Sequence, residues 1–267
     1  MILKLINKLM HKIGYDIIRI QGQSGKTLHS KELKYYITKT GNYYLPKFAH
    51  GDIIVNDIIN DKIYDYNVYK IAKKYIKKGT VVIDVGSNFG QLAIQYSRLV
   101  GENGKVYAFE ADEYIFKILL KNIAANNCKN IIPINKAVYK NSIDKLFFPL
   151  QDFKINTTYG SFGIDYLNNT GRPVDSISID SLNINELISF MKVDIQGGDL
   201  YALQGAINTI KKYKFPIIFE YEYALENQLK LKFQEYVDFI NILDYKFENV
   251  INASNYLITY KIENTNN

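Results

Sequence analysis

One cysteine, Cys128, occurs in 267 residues, so no intrachain disulfide forms and no cysteine cluster can hold a metal. No metal is expected, and a reducing, cytoplasmic location fits that scarcity. Tryptophan is absent and histidine occurs three times. His11, His29 and His50 all precede the central region described below. Each is read as a surface or structural residue, although His50, in Ala49-His50-Gly51-Asp52, would reach a substrate if the N-terminal segment folded over the site. Arginine is almost as scarce: Arg19, Arg98 and Arg172 stand against thirty lysines. The net charge of +6 therefore rests on ammonium groups, which lack the planar fork that reads phosphates and guanine edges, and no nucleic-acid partner is expected. No run of 18 apolar residues exists to form a membrane span. What remains is a chain of one-domain length with 47% apolar residues, enough to bury a core.

The first thirteen residues place Ile2, Leu5, Ile6, Leu9 and Ile13 on one helical stripe and Lys4, Lys8 and Lys12 on another. A lysine every four residues leaves no continuous apolar segment for a secretory signal. The helix either caps the domain's own core or lies on an anionic membrane surface, a peripheral contact. Lys34 to Leu45 is β-prone, and a small N-terminal subdomain is expected over residues 1–62, ahead of a main domain over 63–267. Tyr64 to Lys78 has helical spacing, and its tyrosines Tyr64, Tyr66 and Tyr69 serve packing or a sugar-stacking platform.

Val81-Val82-Ile83-Asp84-Val85 is an almost unbroken apolar run, as in a parallel strand buried on both faces. Helices at Gln91 to Leu99 and Tyr114 to Asn126 alternate with strands at Lys105 to Glu110 and Ile131 to Val138. This β-α-β-α-β order is half of a doubly wound sheet. Leu146 to Arg172 reads as a long functional loop, with Ser161 and its glycine neighbours closing over the site. Strands follow at Phe190 to Ile195 and Phe215 to Tyr221, helices at Leu200 to Lys212 and Leu229 to Leu243, and a last strand pair near Tyr245 to Val250 and Tyr256 to Ile262.

The chemistry concentrates where strands end. In Asp84-Val85-Gly86-Ser87-Asn88-Phe89-Gly90, Gly86 permits a sharp turn and Gly90 lets a helix begin close beneath a ligand. The spacing is not the Gly-x-Gly-x-x-Gly of a dinucleotide site, and an acid at the strand end suits an ammonium-bearing ligand better than phosphates. Glu110 ends the next strand, where a carboxylate accepts both hydroxyls of an adenosine ribose. Together these features point to a nucleoside-type cofactor. Asp194, Glu220 and Glu222 end later strands; Asp194 is either a general base or a hydrogen-bond acceptor for backbone or cofactor, and Glu220 either lines an acceptor pocket or is a solvated terminus. Lys192, two residues before Asp194, would share its side of the sheet and keep it ionised.

From about Ile63 to Tyr221 the sequence resembles the FkbM-type methyltransferases, a class I branch dependent on S-adenosylmethionine. The resemblance is carried by an ordered set: Val82 to Gly90, Ala108-Phe109-Glu110, Leu120…Asn122…Asn126, Lys136-Ala137-Val138, Ile177 to Leu182, Met191 to Gly197, Leu203-Gln204-Gly205-Ala206 and Pro216 to Glu220. It implies an α/β class I methyltransferase (Rossmann-like) fold, a doubly wound seven-stranded sheet with a small N-terminal subdomain. It further implies S-adenosylmethionine held by Asp84, Gly86, Ser87, Asn88, Gly90, Gln91, Glu110, Ala137 and Asp194. Catalysis would fall to Asp194, Asp199 and Glu220, with a hydroxyl of a small molecule or glycan as acceptor. The family usually has glutamate where Asp199 stands; a carboxylate one methylene shorter moves by about an ångström, a misplacement that can cost ~100-fold in rate. A nucleotide-binding oxidoreductase, disfavoured by the missing third glycine, and a non-catalytic scaffold are the readings from other classes.

Overall fold

A computed structural model describes residues 17–19, 27–29, 32–142, 145–150, 158–166, 171–251 and 254–261. The amphipathic helix expected at residues 1–13 lies outside them. No helix among the described residues is long and apolar enough to cross a membrane.

The first elements are short strands β1 (Ile17–Arg19) and β2 (Thr27–His29), paired antiparallel, and a hairpin of β3 (Leu33–Thr38) and β4 (Gly41–Pro46). Helices α1 (Ile53–Ile59) and α2 (Tyr66–Tyr75) follow. The central unit then alternates β5 (Val81–Val85), α3 (Gln91–Val100), β6 (Lys105–Phe109), α4 (Glu113–Ala125) and β7 (Ile131–Ile134). After an excursion, the chain returns with β11 (Ile188–Val193), α5 (Asp199–Gln204), α6 (Ile207–Tyr213) and β12 (Ile217–Glu220). It ends with α7 (Glu226–Leu229), α8 (Phe233–Ile242), β13 (Tyr245–Ile251) and β14 (Asn255–Tyr260).

Seven strands form the main sheet in the order β13-β14-β12-β11-β5-β6-β7. Neighbours from β12 to β7 pair in parallel, and β14 runs antiparallel to both β12 and β13. Every residue of β5 and β11 is buried, as central strands covered on both faces require. Alternation along β5 sends Val82 into one core with α3, α4 and the β3–β4 hairpin, and Val81, Ile83 and Val85 into the other with α5, α6 and α8. The chain leaves β5 toward β6 on one side and returns to β11 on the other. Their carboxyl ends form the switch point where such sheets bind ligands.

Three expectations need correction. The strand expected at Ile131 to Val138 divides: β7 stays in the main sheet, and β8 (Ala137–Val138) turns away to pair with β10 (Arg172–Ile177). The long loop expected from Leu146 to Arg172 contains β9 (Lys145–Phe148), antiparallel to β10, so a three-stranded sheet stands beside the cleft. Its apolar positions, Leu146, Phe148 and Val174, bury against Ala137, Tyr139 and Ile164, a small core that loop-like composition concealed. The helix expected from Leu200 to Lys212 is two helices, broken at Gly205, where a Cβ would fall 2.0 Å from the Tyr139 carbonyl oxygen.

The N-terminal hairpin is locked to the sheet's helices by polar side chains at helical spacing. On α3, Gln91 reaches the Thr40 hydroxyl, and Gln95 and Arg98 donate to the Thr40 carbonyl at 2.7 and 2.6 Å. On α4, the fully buried Asn122 accepts from the Tyr44 amide and donates to the Phe89 carbonyl at 2.8 Å, while Asn126, at the helix's C-terminal end, pairs with both backbone groups of Asn42. Asn122→Ala is expected to lower unfolding stability by about 2–4 kcal/mol in a denaturant titration, since it strands two buried backbone groups at roughly 1–3 kcal/mol each.

Candidate functional site

The loop between β5 and α3 is the floor of the site. Gly86 sits at φ 81° with an ideal Cβ only 1.9 Å from the Asp194 carbonyl oxygen, so only glycine lets the loop pass under the end of β11. The Gly86 and Ser87 amides donate to the Phe109 carbonyl at 3.0 and 2.8 Å, which fixes the loop to β6. Ser87 Oγ donates to Asp84 Oδ2 at 2.8 Å. The Asn88 amide donates to Glu110 Oε2 at 3.0 Å, and the Asp112 amide to Glu110 Oε1 at 2.9 Å. Burial pushes the Glu110 carboxyl up to about 7, against those two hydrogen bonds. Gly90 has a different role from the one expected. It does not line the cleft; at φ 87° its missing Cβ makes room for Leu119 of α4, 2.4 Å away, so it packs two helices together.

Lys192 organises the charges. In register it lies beside Asp84 across the β5–β11 pair, and Asp194, two positions further on and just past the end of β11, falls on the same face. Its ammonium contacts Asp194 Oδ2 at 3.2 Å, Asp84 Oδ1 at 4.0 Å and the Gly86 carbonyl at 2.9 Å. Burial opposes the charged form of Lys192, yet the carboxylates of Asp194 and Asp84 outweigh it and hold its pKa above the ordinary lysine value. Burial raises Asp84, with Lys192 and Ser87 opposing. Asp194 is the reverse: burial would raise it, but Lys192 and surrounding hydrogen bonds hold it below the usual carboxylate range.

Beyond Asp194 the chain turns at Gln196, a non-glycine residue at φ 56°. Gln196 Nε2 donates to Glu220 Oε2 at 3.1 Å and faces Asp194 Oδ1 at 3.4 Å. Ser254 Oγ holds the other oxygen of Glu220 at 3.2 Å. Burial, then the Asp194 charge, push Glu220 well above the usual carboxylate range, whereas Asp194 is held below it.

Asp199, expected among the catalytic groups, does not line the cleft. It is fully buried beneath the floor, where Oδ1 accepts from the Glu220 amide at 3.1 Å and Oδ2 from the Ile195 amide at 3.5 Å. Glu220 also stands behind the lining, in contact with it through Gln196. Asp84, Gly86, Ser87, Asn88, Gln91, Glu110, Ala137 and Asp194 all line one cleft that is open to solvent. Gln91 spends its amide on the N-terminal segment, donating to the Lys62 carbonyl at 2.7 Å and accepting from the Tyr64 amide at 2.9 Å. His50 is exposed and does not line the cleft, whereas Tyr64 does.

Sequence reasoning missed one end of the cleft. Phe148 from the small sheet lines the cleft together with Ile115 and Ala137, and Arg172 ties that sheet to the floor through a half-buried ion pair with Asp112 at 3.1 Å. Asp112 Oδ1 meanwhile caps α4, accepting from Tyr114 and Ile115 at 2.8 and 2.9 Å. The arrangement fits a nucleoside cofactor with a cationic head. The half-buried Glu110 carboxylate, the apolar side chains of Phe148, Ile115 and Ala137, and the bare Gly86 backbone line the cleft together. At the other end Asp84 Oδ1 is buried without a hydrogen-bond partner.

This sheet order and cleft define an S-adenosylmethionine-dependent methyltransferase. The methyltransferase FkbM domain model matches residues 84–247, more than half of the chain, and the protein belongs to that family. The sequence is also 27% identical over 166 residues to a Saccharolobus solfataricus protein named "Probable cobalt-precorrin-6B C(15)-methyltransferase (decarboxylating)", covering 58% of this chain and 83% of that one. It is 26% identical over 156 residues to the ubiquinone/menaquinone biosynthesis C-methyltransferase UbiE of Azotobacter vinelandii, covering 57% of this chain and about half, 53%, of that one. A solved FkbM methyltransferase from Methylobacillus flagellatus KT aligns at 16% identity and a TM-score of 0.45, covering 72% of this chain and 50% of that chain, too loose a match to bear on the site.

The Glu110 carboxyl gives a pH prediction with a definite sign. Burial pushes this carboxyl up to about 7, and ribose hydroxyls, if they bind here as expected, would donate to its ionised form. Affinity for S-adenosylhomocysteine is expected to rise as pH increases through about 7, and Glu110→Gln to flatten that rise, in calorimetric titrations across the range. The same elevation makes the ligand-free fold lose stability as pH rises from the ordinary carboxylate range through about 7.

Proposed function

We propose that the protein transfers a methyl group to a hydroxyl carried by a sugar or glycan. The observation that carries this reading is the Asp194 carboxylate, which lines the cleft at the end of β11 and is held ionised by Lys192 at 3.2 Å. When bound, the cofactor supplies a methyl group on a positively charged sulfur, ready for in-line displacement. The chain's own residues then align the acceptor and take its proton, and alignment alone is worth ~7–11 kcal/mol of barrier.

A carboxylate held below its usual pKa is a weak base, and this selects among acceptors. As a C–O bond forms, the hydroxyl proton becomes strongly acidic, so Asp194 can accept it late in the step. A carbon acid offers no such help and would call for a stronger base. This favours oxygen over the carbon acceptors implied by the names of the two relatives. Lys192 keeps Asp194 charged, and Gln196, which donates to both Glu220 and Asp194, orients it. Tyr64 also lines the cleft, and an aromatic ring there supports the sugar reading as a stacking surface.

The test is a methyl-transfer screen with labelled S-adenosylmethionine against sugar nucleotides, glycans and small hydroxylated metabolites, polyketides included. The expected product is a sugar O-methyl ether; a carbon-methylated product, or transfer only to non-sugar hydroxyls, would overturn the acceptor assignment. With an acceptor in hand, Asp194→Asn is expected to lower kcat by ~100-fold or more, the usual scale for loss of a general base, while changing the Kd for S-adenosylhomocysteine much less. Normal turnover in that variant would remove Asp194 as the base.

A further inference from the structure

One buried carboxylate outside the catalytic cluster is used twice. Asp52, 2% exposed, is the N-cap of α1, and its Oδ1 accepts from the Val55 amide at 2.9 Å. Its Oδ2 accepts from the Tyr159 amide at 2.7 Å, across 107 residues of sequence. Tyr159 begins a segment that crosses the cleft. Its ring packs 6.1 Å from both Phe89 and Tyr114, at the starts of α3 and α4. At Gly160 a Cβ would lie 3.0 Å from Ile54 Cδ1 and 3.1 Å from Asn88 Nδ2, so the backbone presses against α1 and the cofactor loop together. At Gly163 a Cβ would lie 2.8 Å from the Gln196 carbonyl oxygen, beside the turn after Asp194. Residues 159–163 therefore run as a strap from Asn88 to Gln196, and Phe162 faces the cleft between them.

We propose that Asp52 is a positioning residue of the methyl-transfer site: its second carboxylate oxygen anchors Tyr159 and holds the strap as the roof of the cofactor cleft. The N-terminal subdomain is thereby part of the cofactor-binding machinery. The inference rests on this cleft being the cofactor site and is independent of the acceptor's identity. A helix cap needs one oxygen, and asparagine or serine supplies it as well as aspartate does. The Tyr159 amide needs a second acceptor at the same side chain, which only the carboxylate provides.

Asp52→Asn and Asp52→Ser separate the two roles, because each keeps a capping oxygen for Val55 and lacks the other acceptor. The readouts are S-adenosylhomocysteine dissociation by stopped flow, thermal unfolding, and amide hydrogen exchange at Val55, Tyr159 and Gly160. Expected are retained protection at Val55, faster exchange at Tyr159, little change in Tm, and ligand dissociation roughly 5- to 30-fold faster, the scale of one lost buried hydrogen bond. Dissociation within twofold of the parent in both folded variants would overturn the proposal. In the unmodified protein, saturation with S-adenosylhomocysteine should slow exchange at Tyr159 and Gly160 further; unchanged exchange there would also overturn it. Failure of the unmodified protein to bind S-adenosylhomocysteine would instead sink the cofactor assignment, so the two failures are distinguishable.

Discussion

The site depends on one buried ammonium. Lys192 is 4% exposed, and placing a lysine there is costly unless carboxylates repay the lost hydration. Asp84 and Asp194 do so, and the sheet order makes it possible: β5 and β11 are neighbours only because the chain crosses over after β7. The Gly86 carbonyl gives Lys192 a third partner, so the loop after β5 is tied to the same charge that holds Asp194. Removing Lys192 would take the counter-charge from Asp84, which is fully buried, and from Asp194, which is half-buried. Removing either acid would leave the ammonium half-paired. Sheet topology, loop position and the ionisation of Asp194 thus hang on one group of charges.

The sequence made this group legible because it lies on regular structure. Val81 to Val85 and Phe190 to Val193 are apolar runs with single charged residues at the positions that face one another, and strand alternation predicts that Lys192 and Asp194 share a side. Glu110 and the Gly86 loop were readable for the same reason: a strand end followed by a helix start leaves few conformations. The small sheet of β8, β9 and β10 was not readable. Its strands are two to six residues long and its pairing joins segments far apart in sequence, so neither periodicity nor turn chemistry announces it. The Arg172–Asp112 pair that attaches it is a long-range contact for the same reason. Asp52 drew no reading of its own from the sequence, because a tether to Tyr159 leaves no local pattern.

The N-terminal hairpin shows how a segment with its own strands can still belong to the main core. Leu33, Tyr43 and Leu45 are buried in the same cluster as Ile94, Ile118 and Val106, and the polar seam of Gln91, Gln95, Arg98, Asn122 and Asn126 satisfies backbone groups of Thr40, Asn42 and Tyr44. Side chains rather than backbone ladders make this junction, which is why it is strong without extending the sheet. Helices α3 and α4 start at the cofactor loop and at Asp112, so the seam also fixes the helices that carry the ligand-facing residues.

Asp199 shows what the shorter acid accomplishes. Its two oxygens meet backbone amides of Glu220 and Ile195, at the ends of adjacent strands β12 and β11, and so fix the spacing between the chain positions that bear Glu220 and Asp194. Burial first, then the Asp194 charge, raises Asp199 to about 7, so its ionised form is maintained by those amides and the distant ammonium rather than by water. Tyr166 packs against Gly198 on one side, and the Tyr236 hydroxyl accepts from the Leu200 amide on the other. A side chain one methylene longer at this position would have to displace these neighbours or move away from the amides. Aspartate here is therefore matched to its surroundings: by holding the amides of Glu220 and Ile195 it fixes the backbone that carries Glu220, which reaches Asp194 through Gln196.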